Sequence, residues 1–315
     1  MDPTPVTKPV IRKAQSSEGL AALRLVMTSQ AGGDPQDLAQ LLIGQARAGQ
    51  LDLDKLLVAM RGDMIVGATW GTVIPGRCAS VWPPHLVDGE PSTTATQLLC
   101  FLEDLFLGAG VRVAQALLAA LNHAGVRAML DHGYRHLTDL AYLGCAASEF
   151  PMAPPNTGEL VFSPYCERDH QRLLELIDVT YQQTRDCPDL DGMRDTADVL
   201  HGYQHVGVFD PNLWFLVQYG TEDVGCLLLA DHPAQRQCEL IYMGLIPAAR
   251  GRGWGRVLTR YAQWAARQCQ ERRLVVAVDV ANSPAHVTYL HSGFTAMDCR
   301  HLLVRSLANG PDEGP

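Results

Sequence analysis

The sequence has no long hydrophobic run, since none approaches the roughly 18 to 20 apolar residues of a membrane-spanning helix. The opening segment, MDPTPVTKPV, also lacks the apolar core of a secretory signal peptide. Nine cysteines are scattered along the chain without any CxxC pair, which argues against a disulfide framework or a zinc site. These absences predict a cytoplasmic protein that binds no metal.

Positive charge is also scarce, because the formal net charge is −9 over 315 residues. We expect the overall field to repel nucleic acid and anionic membranes, whereas a cationic amine is a compatible substrate. The apolar fraction of 47% is sufficient for sizeable cores, and the length allows two domains. The composition does not determine whether the protein is a monomer or a homodimer.

The most informative stretch runs from residue 245 to residue 258, where an apolar strand enters a glycine-rich turn that opens a helix. Gly251, Gly253 and Gly255 alternate along this turn. Bare backbone at a helix N-terminus can direct several N–H groups at one anion, which suits a pyrophosphate. The turn lacks the Lys-Ser or Lys-Thr of the GxxxxGK[ST] phosphate loop, and the GxGxxG dinucleotide fingerprint is also absent.

A second stretch follows the buried-strand pattern of residues 274–279. It contains Asn282, Ala285 and Tyr289, and it ends in Gly293-Phe294. Together the two stretches resemble the signatures of the GCN5-related N-acetyltransferases (the GNAT superfamily). In the first signature, Arg-x-x-Gly-x-Gly, the matching residues are Arg250, Gly253 and Gly255. The resemblance covers about residues 160 to 307.

This resemblance implies a mixed α/β (α+β) fold in which a twisted, mainly antiparallel sheet is flanked by helices. It also implies an acetyl-CoA-dependent N-acetyltransferase that acts by direct transfer on a primary amine, which we expect to be a small molecule. The residues expected to hold the cosubstrate are Met243, Leu245, Arg250, Gly251, Arg252, Gly253, Trp254, Gly255, Arg256, Asn282 and Ala285.

Two residues are candidates for proton transfer. Tyr289 is the predicted general acid, because a phenol is protonated at neutral pH and can donate to a departing thiolate. Glu239 is the predicted base, because it is the one acid in an apolar strand from Cys238 to Ile246 and burial would raise its pKa. The aspartates of the loop at residues 185–192 either receive a cationic amine or serve as turn formers and helix caps.

The order of elements repeats along the chain, with a strand, two helices and a hairpin opening each half. In the first half these are expected at 10–13, 17–29, 35–48, 56–60 and 64–73, and in the second at 160–162, 168–183, 194–203, 214–219 and 224–230. Asn122 and Gly133-Tyr134 also match Asn282 and Gly293-Phe294 at an offset of 160. We therefore predict two tandem GNAT-like domains, at 1–150 and 159–308, with a linker at 151–158 and a tail at 309–315.

The first copy differs from the second at the positions that matter for the cosubstrate. At the offset of 160, Glu90 replaces Arg250, Thr93 replaces Gly253 and Met129 replaces Tyr289. The first domain is therefore expected to be degenerate and the second catalytic. The alternative function is an acyl-CoA-binding sensor or scaffold without turnover.

Overall fold

The computed structural model describes residues 8–28, 33–190 and 192–307, so the predicted tail at 309–315 lies outside the described chain. The strands are β1 (Val10–Lys13), β2 (Leu56–Arg61), β3 (Met64–Ile74), β4 (Cys78–Leu86), β5 (Val113–Leu118), β6 (Arg135–Ala146), β7 (Leu160–Pro164), β8 (Trp214–Tyr219), β9 (Glu222–His232), β10 (Gln237–Leu245), β11 (Arg273–Asp279) and β12 (Thr295–Ser306). The α-helices are α1 (Gly19–Met27), α2 (Pro35–Arg47), α3 (Thr93–Gly108), α4 (Ala124–Asp131), α5 (His170–Tyr181), α6 (Thr196–Tyr203), α7 (Trp254–Gln268) and α8 (Ser283–Leu290). No helix in these ranges is long and apolar enough to cross a membrane.

The chain divides into two compact units. The first contains the described residues up to Leu137 together with 301–307, and the second runs from Thr138 to Arg300. Each unit has a sheet with one parallel strand pair, β4 with β5 in the first and β10 with β11 in the second. The other pairings within each unit are antiparallel. This confirms the predicted mixed α/β fold with mainly antiparallel sheets.

The boundaries of these units differ from the predicted division at residues 150 and 159. In the second unit, β6 pairs with β11 from Leu140 opposite Asp279 to Ala146 opposite Arg273. In the first unit, residues 301–306 of β12 pair with β5. The segment predicted as a linker, 151–158, consequently lies inside the second unit. Strand pairing, rather than the order of the repeats, decides which unit a segment joins.

Local sequence explains where the helices begin. Asp34 caps α2 by accepting a hydrogen bond from the amide of Gln36, and Pro35 occupies the first helical turn. Asn282 caps α8 in the same way, since its Oδ1 accepts from the amide of Ala285 at 3.3 Å. These caps fix where the two helices start.

The core of the second unit forms around the strands that lead to the glycine turn. Leu227 and Leu229 of β9 and Leu240 of β10 are buried in one cluster. Apolar side chains from α5 and α7 join the same cluster, including Leu173, Leu176, Ile177, Ala262, Ala265 and Ala266. Burial of such side chains holds the helices against the sheet and so fixes the ends of the strands that carry the site.

Candidate active site

Two parallel strands separate to form a cavity in the second unit. β10 and β11 pair only from Gln237 opposite Arg273 to Glu239 opposite Val275. Immediately beyond, the pairing of β10 with β9 shifts between Leu240 and Tyr242. Past this irregularity both strands line a cavity of about 550 Å³. The cavity wall also includes the glycine turn, the loop after α5 and one side of α8.

The glycine turn presents bare backbone at one end of this cavity. Gly251 and Gly253 have φ of 76° and 78°, a conformation that L side chains rarely adopt. Within the described chain, no acceptor pairs with the amides of residues 251–255. A Cβ added at either glycine would meet no described atom within 4 Å apart from its chain neighbours. With α7 beginning at Trp254, the turn fits an anionic group such as a pyrophosphate.

Arg250 lines the cavity, but its guanidinium is engaged with the protein backbone. It donates hydrogen bonds to the carbonyl oxygens of Thr180 at 2.8 Å, Gln183 at 2.9 Å and Leu245 at 3.1 Å. These bonds tie the end of α5 and the end of β10 to the turn. Arg250 stays a predicted cosubstrate residue, and its contacts show that the guanidinium also positions the turn.

The remaining arginines of the motif lie outside the cavity wall. Arg252 and Arg256 are exposed, and the Arg252 guanidinium carbon lies 5.0 Å from the centre of the Trp254 ring. Trp254 contacts Tyr219, with ring centroids 5.1 Å apart, and neither residue lines the cavity. The predicted cosubstrate residues that do line the cavity are Met243, Leu245, Arg250, Gly251, Gly253, Gly255, Asn282 and Ala285.

Tyr289 lies on α8 and reaches the cavity from the buried side of the helix. Its side chain is 5% exposed, and its ring centroid lies 5.3 Å from that of Phe294. Burial raises the pKa of the Tyr289 phenol, and the nearby Asp186 carboxylate raises it further. The phenol is therefore protonated at neutral pH, which suits a proton donor.

Glu239 does not line the cavity. It belongs to the short paired part of β10, where Oε2 lies 2.9 Å from Nε2 of His232, and its side chain is about one third exposed. The prediction placed this carboxylate at the reacting centre because it interrupts an apolar strand. The structure instead pairs it with a histidine before the two strands separate.

Two further residues in the cavity wall were not predicted as site residues. The hydroxyl groups of Thr180 and Tyr242 lie 2.7 Å apart, and both residues line the cavity. A Cβ at Gly244 would come within 2.8 Å of both side chains, so a larger residue there would displace them. The sequence offered only the apolar strand pattern for Tyr242, and this pattern does not distinguish a core residue from a cavity residue.

One aspartate of the loop after α5, Asp186, also lines the cavity, whereas the described Asp189 does not. Asp191 lies outside the described residues. The structure therefore separates the loop aspartates that the sequence analysis considered together, and it brings one carboxylate to the same cavity as Tyr289.

The first unit differs at the corresponding positions. Glu90 receives two hydrogen bonds of 2.8 Å from the Arg61 guanidinium and a third from the Thr94 hydroxyl. A Cβ on Gly125 would overlap the carbonyl oxygen of Pro84, so α4 lies directly against β4. An ion pair and a closely packed helix thus occupy the places of the glycine turn and the cavity.

Two histidines lie at the same contact between α4 and β4. Nδ1 of His85 and Nε2 of His123 are 3.3 Å apart. Burial lowers the pKa of both rings, and each ring is neutral near pH 7 as a result. This uncharged pair lies where α4 packs against β4 in the first unit.

Comparison of the sequence with known proteins finds similarity to acetyltransferases. Residues 174–294 match the family model described as the acetyltransferase (GNAT) family. A mycothiol acetyltransferase from Streptomyces bingchenggensis (strain BCW-1) is 37% identical over 93 residues. That match covers 29% of this chain and 29% of the relative's length.

Solved structures resemble the chain over nearly its whole length. A GCN5-related N-acetyltransferase from Sphaerobacter thermophilus aligns with a TM-score of 0.63 and 18% identity, covering 96% of this chain and 97% of that one. A tandem GNAT protein from the clavulanic acid biosynthesis pathway aligns with a TM-score of 0.50 and 12% identity, covering 97% and 99%. At such identities, these likenesses concern the fold.

Proposed function

We propose that this chain is an acetyl-CoA-dependent N-acetyltransferase, because residues 174–294 match the acetyltransferase (GNAT) family model and the fold resembles those of a GCN5-related N-acetyltransferase and a tandem GNAT protein. Its acceptor is a primary amine on a small molecule, and transfer is direct. The observation that carries this proposal is the cavity between β10 and β11, which has the glycine turn at one end and Tyr289 in its wall.

Different residues of the second unit bind different parts of acetyl-CoA. The unpartnered amides of residues 251–255 hold the pyrophosphate, assisted by the positive end of the α7 dipole. Beyond Leu240, the edge of β10 that no longer pairs with β11 lies along the pantetheine arm. When bound there, acetyl-CoA supplies a thioester carbonyl that an amine can attack. Backbone N–H groups at this edge stabilise the negative charge that develops on the carbonyl oxygen.

Tyr289 provides the proton for the leaving sulfur. Its burial favours the neutral phenol, so the phenol holds a proton that it can donate to the sulfur as the C–S bond breaks. General acid catalysis of this kind contributes on the order of 10²–10⁴-fold. The acid is therefore present in its donating form across the neutral pH range.

Direct transfer is supported by the residue types at the cavity. None of the described residues that line it is a cysteine. Cys187 directly follows the cavity residue Asp186 in the sequence, and the pKa of its thiol is raised to about 12 by burial and by Asp186. It is a thiol rather than a thiolate near pH 7, so a covalent acyl-enzyme at Cys187 is disfavoured.

A coupled assay tests this proposal. Purified protein is incubated with acetyl-CoA and a panel of primary amines (tyramine, glucosamine and spermidine), and release of free coenzyme A is followed with a thiol reagent. We expect amine-dependent release that the matched alcohol tyrosol does not support. Binding of acetyl-CoA without turnover on any amine would favour the alternative, a non-catalytic acyl-CoA-binding protein.

A further inference from the structure

The loop after α5 holds Asp186 firmly in the cavity wall. The amide of Asp279, at the end of β11, donates to Asp186 Oδ1 at 3.1 Å, and the amide of Cys187 donates back to Asp279 Oδ2 at 2.9 Å. At the start of the same loop, the Arg250 guanidinium binds the carbonyl of Gln183. The loop that carries Asp186 is thus held from two places, the end of β11 and Arg250.

The neighbouring carboxylates of Asp279 and Asp186 differ in the hydrogen bonds that they accept and in their exposure. Asp279 is 1% exposed, and its Oδ1 also accepts from the Thr138 hydroxyl at 2.7 Å and the Ala281 amide at 2.8 Å. Asp186 accepts from the Asp279 amide and from the Asn282 side chain, and it is solvent-exposed and lines the cavity. A carboxylate has about four acceptor positions, so Asp186 retains capacity for a ligand.

Among the groups around Asp186, His286 acts to lower the pKa of its carboxyl group. Within the described chain, no arginine, lysine or histidine forms an ion pair with it. The titratable groups that interact with it electrostatically are Asp279 on β11, His286 and Tyr289 on α8, Tyr203 on α6, Tyr242 on β10 and Cys187 in its own loop. Surrounding protein and the Asp279 charge raise the pKa of Asp186. A cationic ligand would relieve both effects.

We infer that Asp186 binds the ammonium group of the acceptor and accepts a proton from it. This inference rests on the proposed acetyl transfer and assigns the base to Asp186 in place of Glu239. It also defines the substrate class, because a protonated primary amine is selected over a neutral alcohol of the same shape.

The proton balance of the step is complete with these residues. Asp186 takes one proton from the ammonium, which leaves a lone pair on nitrogen to form the new C–N bond as the C–S bond breaks. Tyr289 gives its proton to the departing sulfur and regains one from the nitrogen of the new amide. Asp186 releases its proton to solvent when the product leaves.

The decisive variant is Asp186→Asn, with Asp189→Asn as the matched control from the same loop. For Asp186→Asn we expect kcat/KM for the amine to fall by about 10²-fold or more, within the range for loss of a general base. Affinity for acetyl-CoA should stay within about twofold, since the glycine turn is untouched. The acid limb of the pH profile of kcat/KM should disappear, because the group that must be deprotonated is absent. Amine kinetics and pH profile equal to those of Asp189→Asn would overturn the inference.

A binding measurement separates this inference from the proposed function. Tyramine is titrated calorimetrically into wild type and Asp186→Asn, each saturated with coenzyme A, so that no turnover is needed. Binding by wild type that is lost in the variant supports the Asp186 site even if no amine is acetylated. Equal binding by both proteins, or no binding by wild type, contradicts it.

A folding control accompanies both experiments. A raised pKa means that the ionised carboxylate disfavours the folded state at pH values above that pKa. We expect Asp186→Asn to melt at pH 7 at a temperature equal to or above that of wild type, with the difference narrowing as the pH falls and Asp186 becomes protonated. A loss of activity would then not reflect unfolding.

Discussion

At the scale of single residues, Tyr289 is the group whose chemistry is most narrowly defined. It is buried, it lines the cavity, and its raised pKa keeps the proton in place. We expect Tyr289→Phe to lower kcat by about 10²-fold or more, because the departing sulfur loses its proton donor. Steady-state kinetics should show this loss, and calorimetry should show acetyl-CoA affinity near that of wild type. Undiminished kcat would remove Tyr289 as the acid.

Sequence patterns predicted the location of several cavity residues, but they did not predict the contacts that each side chain makes. The motif spacing placed Gly253, Asn282 and Tyr289 in one cavity, because backbone conformation and helix position follow from local sequence. The functions of Arg250 and Glu239 depend on partners distant in the chain, the carbonyl of Thr180 and the ring of His232. A side chain's partner across the fold is not encoded in its own neighbourhood.

At the scale of elements, we expect acetyl-CoA binding to need the left-handed backbone conformation of the turn between β10 and α7. A valine at Gly253 would be strained by about 1–2 kcal/mol at φ 78° and would place a branched side chain where the anion is expected. We expect Gly253→Val to abolish acetyl-CoA binding in a calorimetric titration. Gly220→Val is the matched control, since Gly220 has φ 62° with open space around it in the β8–β9 hairpin. If both variants bind acetyl-CoA like wild type, the turn assignment is wrong.

Hydrophobic periodicity located most helices and strands to within a few residues. The helix predicted at 35–48 is α2 at Pro35–Arg47, and the one predicted at 194–203 is α6 at Thr196–Tyr203. In contrast, no strand was predicted after Phe294, although β12 extends from Thr295 to Ser306. Its first five residues, Thr-Ala-Met-Asp-Cys, are all exposed and do not alternate between buried and exposed faces, so the strand signal there is weak.

At the scale of the whole molecule, the duplication was readable from sequence, but the assignment of strands to units was not. Residues 301–307 belong to the first unit and residues 138–146 to the second. Each copy thus contributes its final strand segment to the unit formed mainly by the other copy. Pairing between segments more than a hundred residues apart has no local signal.

The two units also differ in their capacity for a cosubstrate. Both open with the same three-residue parallel pairing, from Cys78 opposite Val113 in the first and from Gln237 opposite Arg273 in the second. Beyond that pairing the first unit has α4 packed on β4 and an Arg61–Glu90 ion pair, whereas the second has an open cavity. We therefore expect one competent site in each chain, in the second unit.

The most direct test of this central claim is calorimetric titration of the full chain with acetyl-CoA, in which the stoichiometry is measured together with the affinity. We predict one site per chain in wild type and no measurable site in Gly253→Val. Two sites per chain, or one site that persists in Gly253→Val, would contradict the claim that acetyl-CoA binds only at the glycine turn of the second unit.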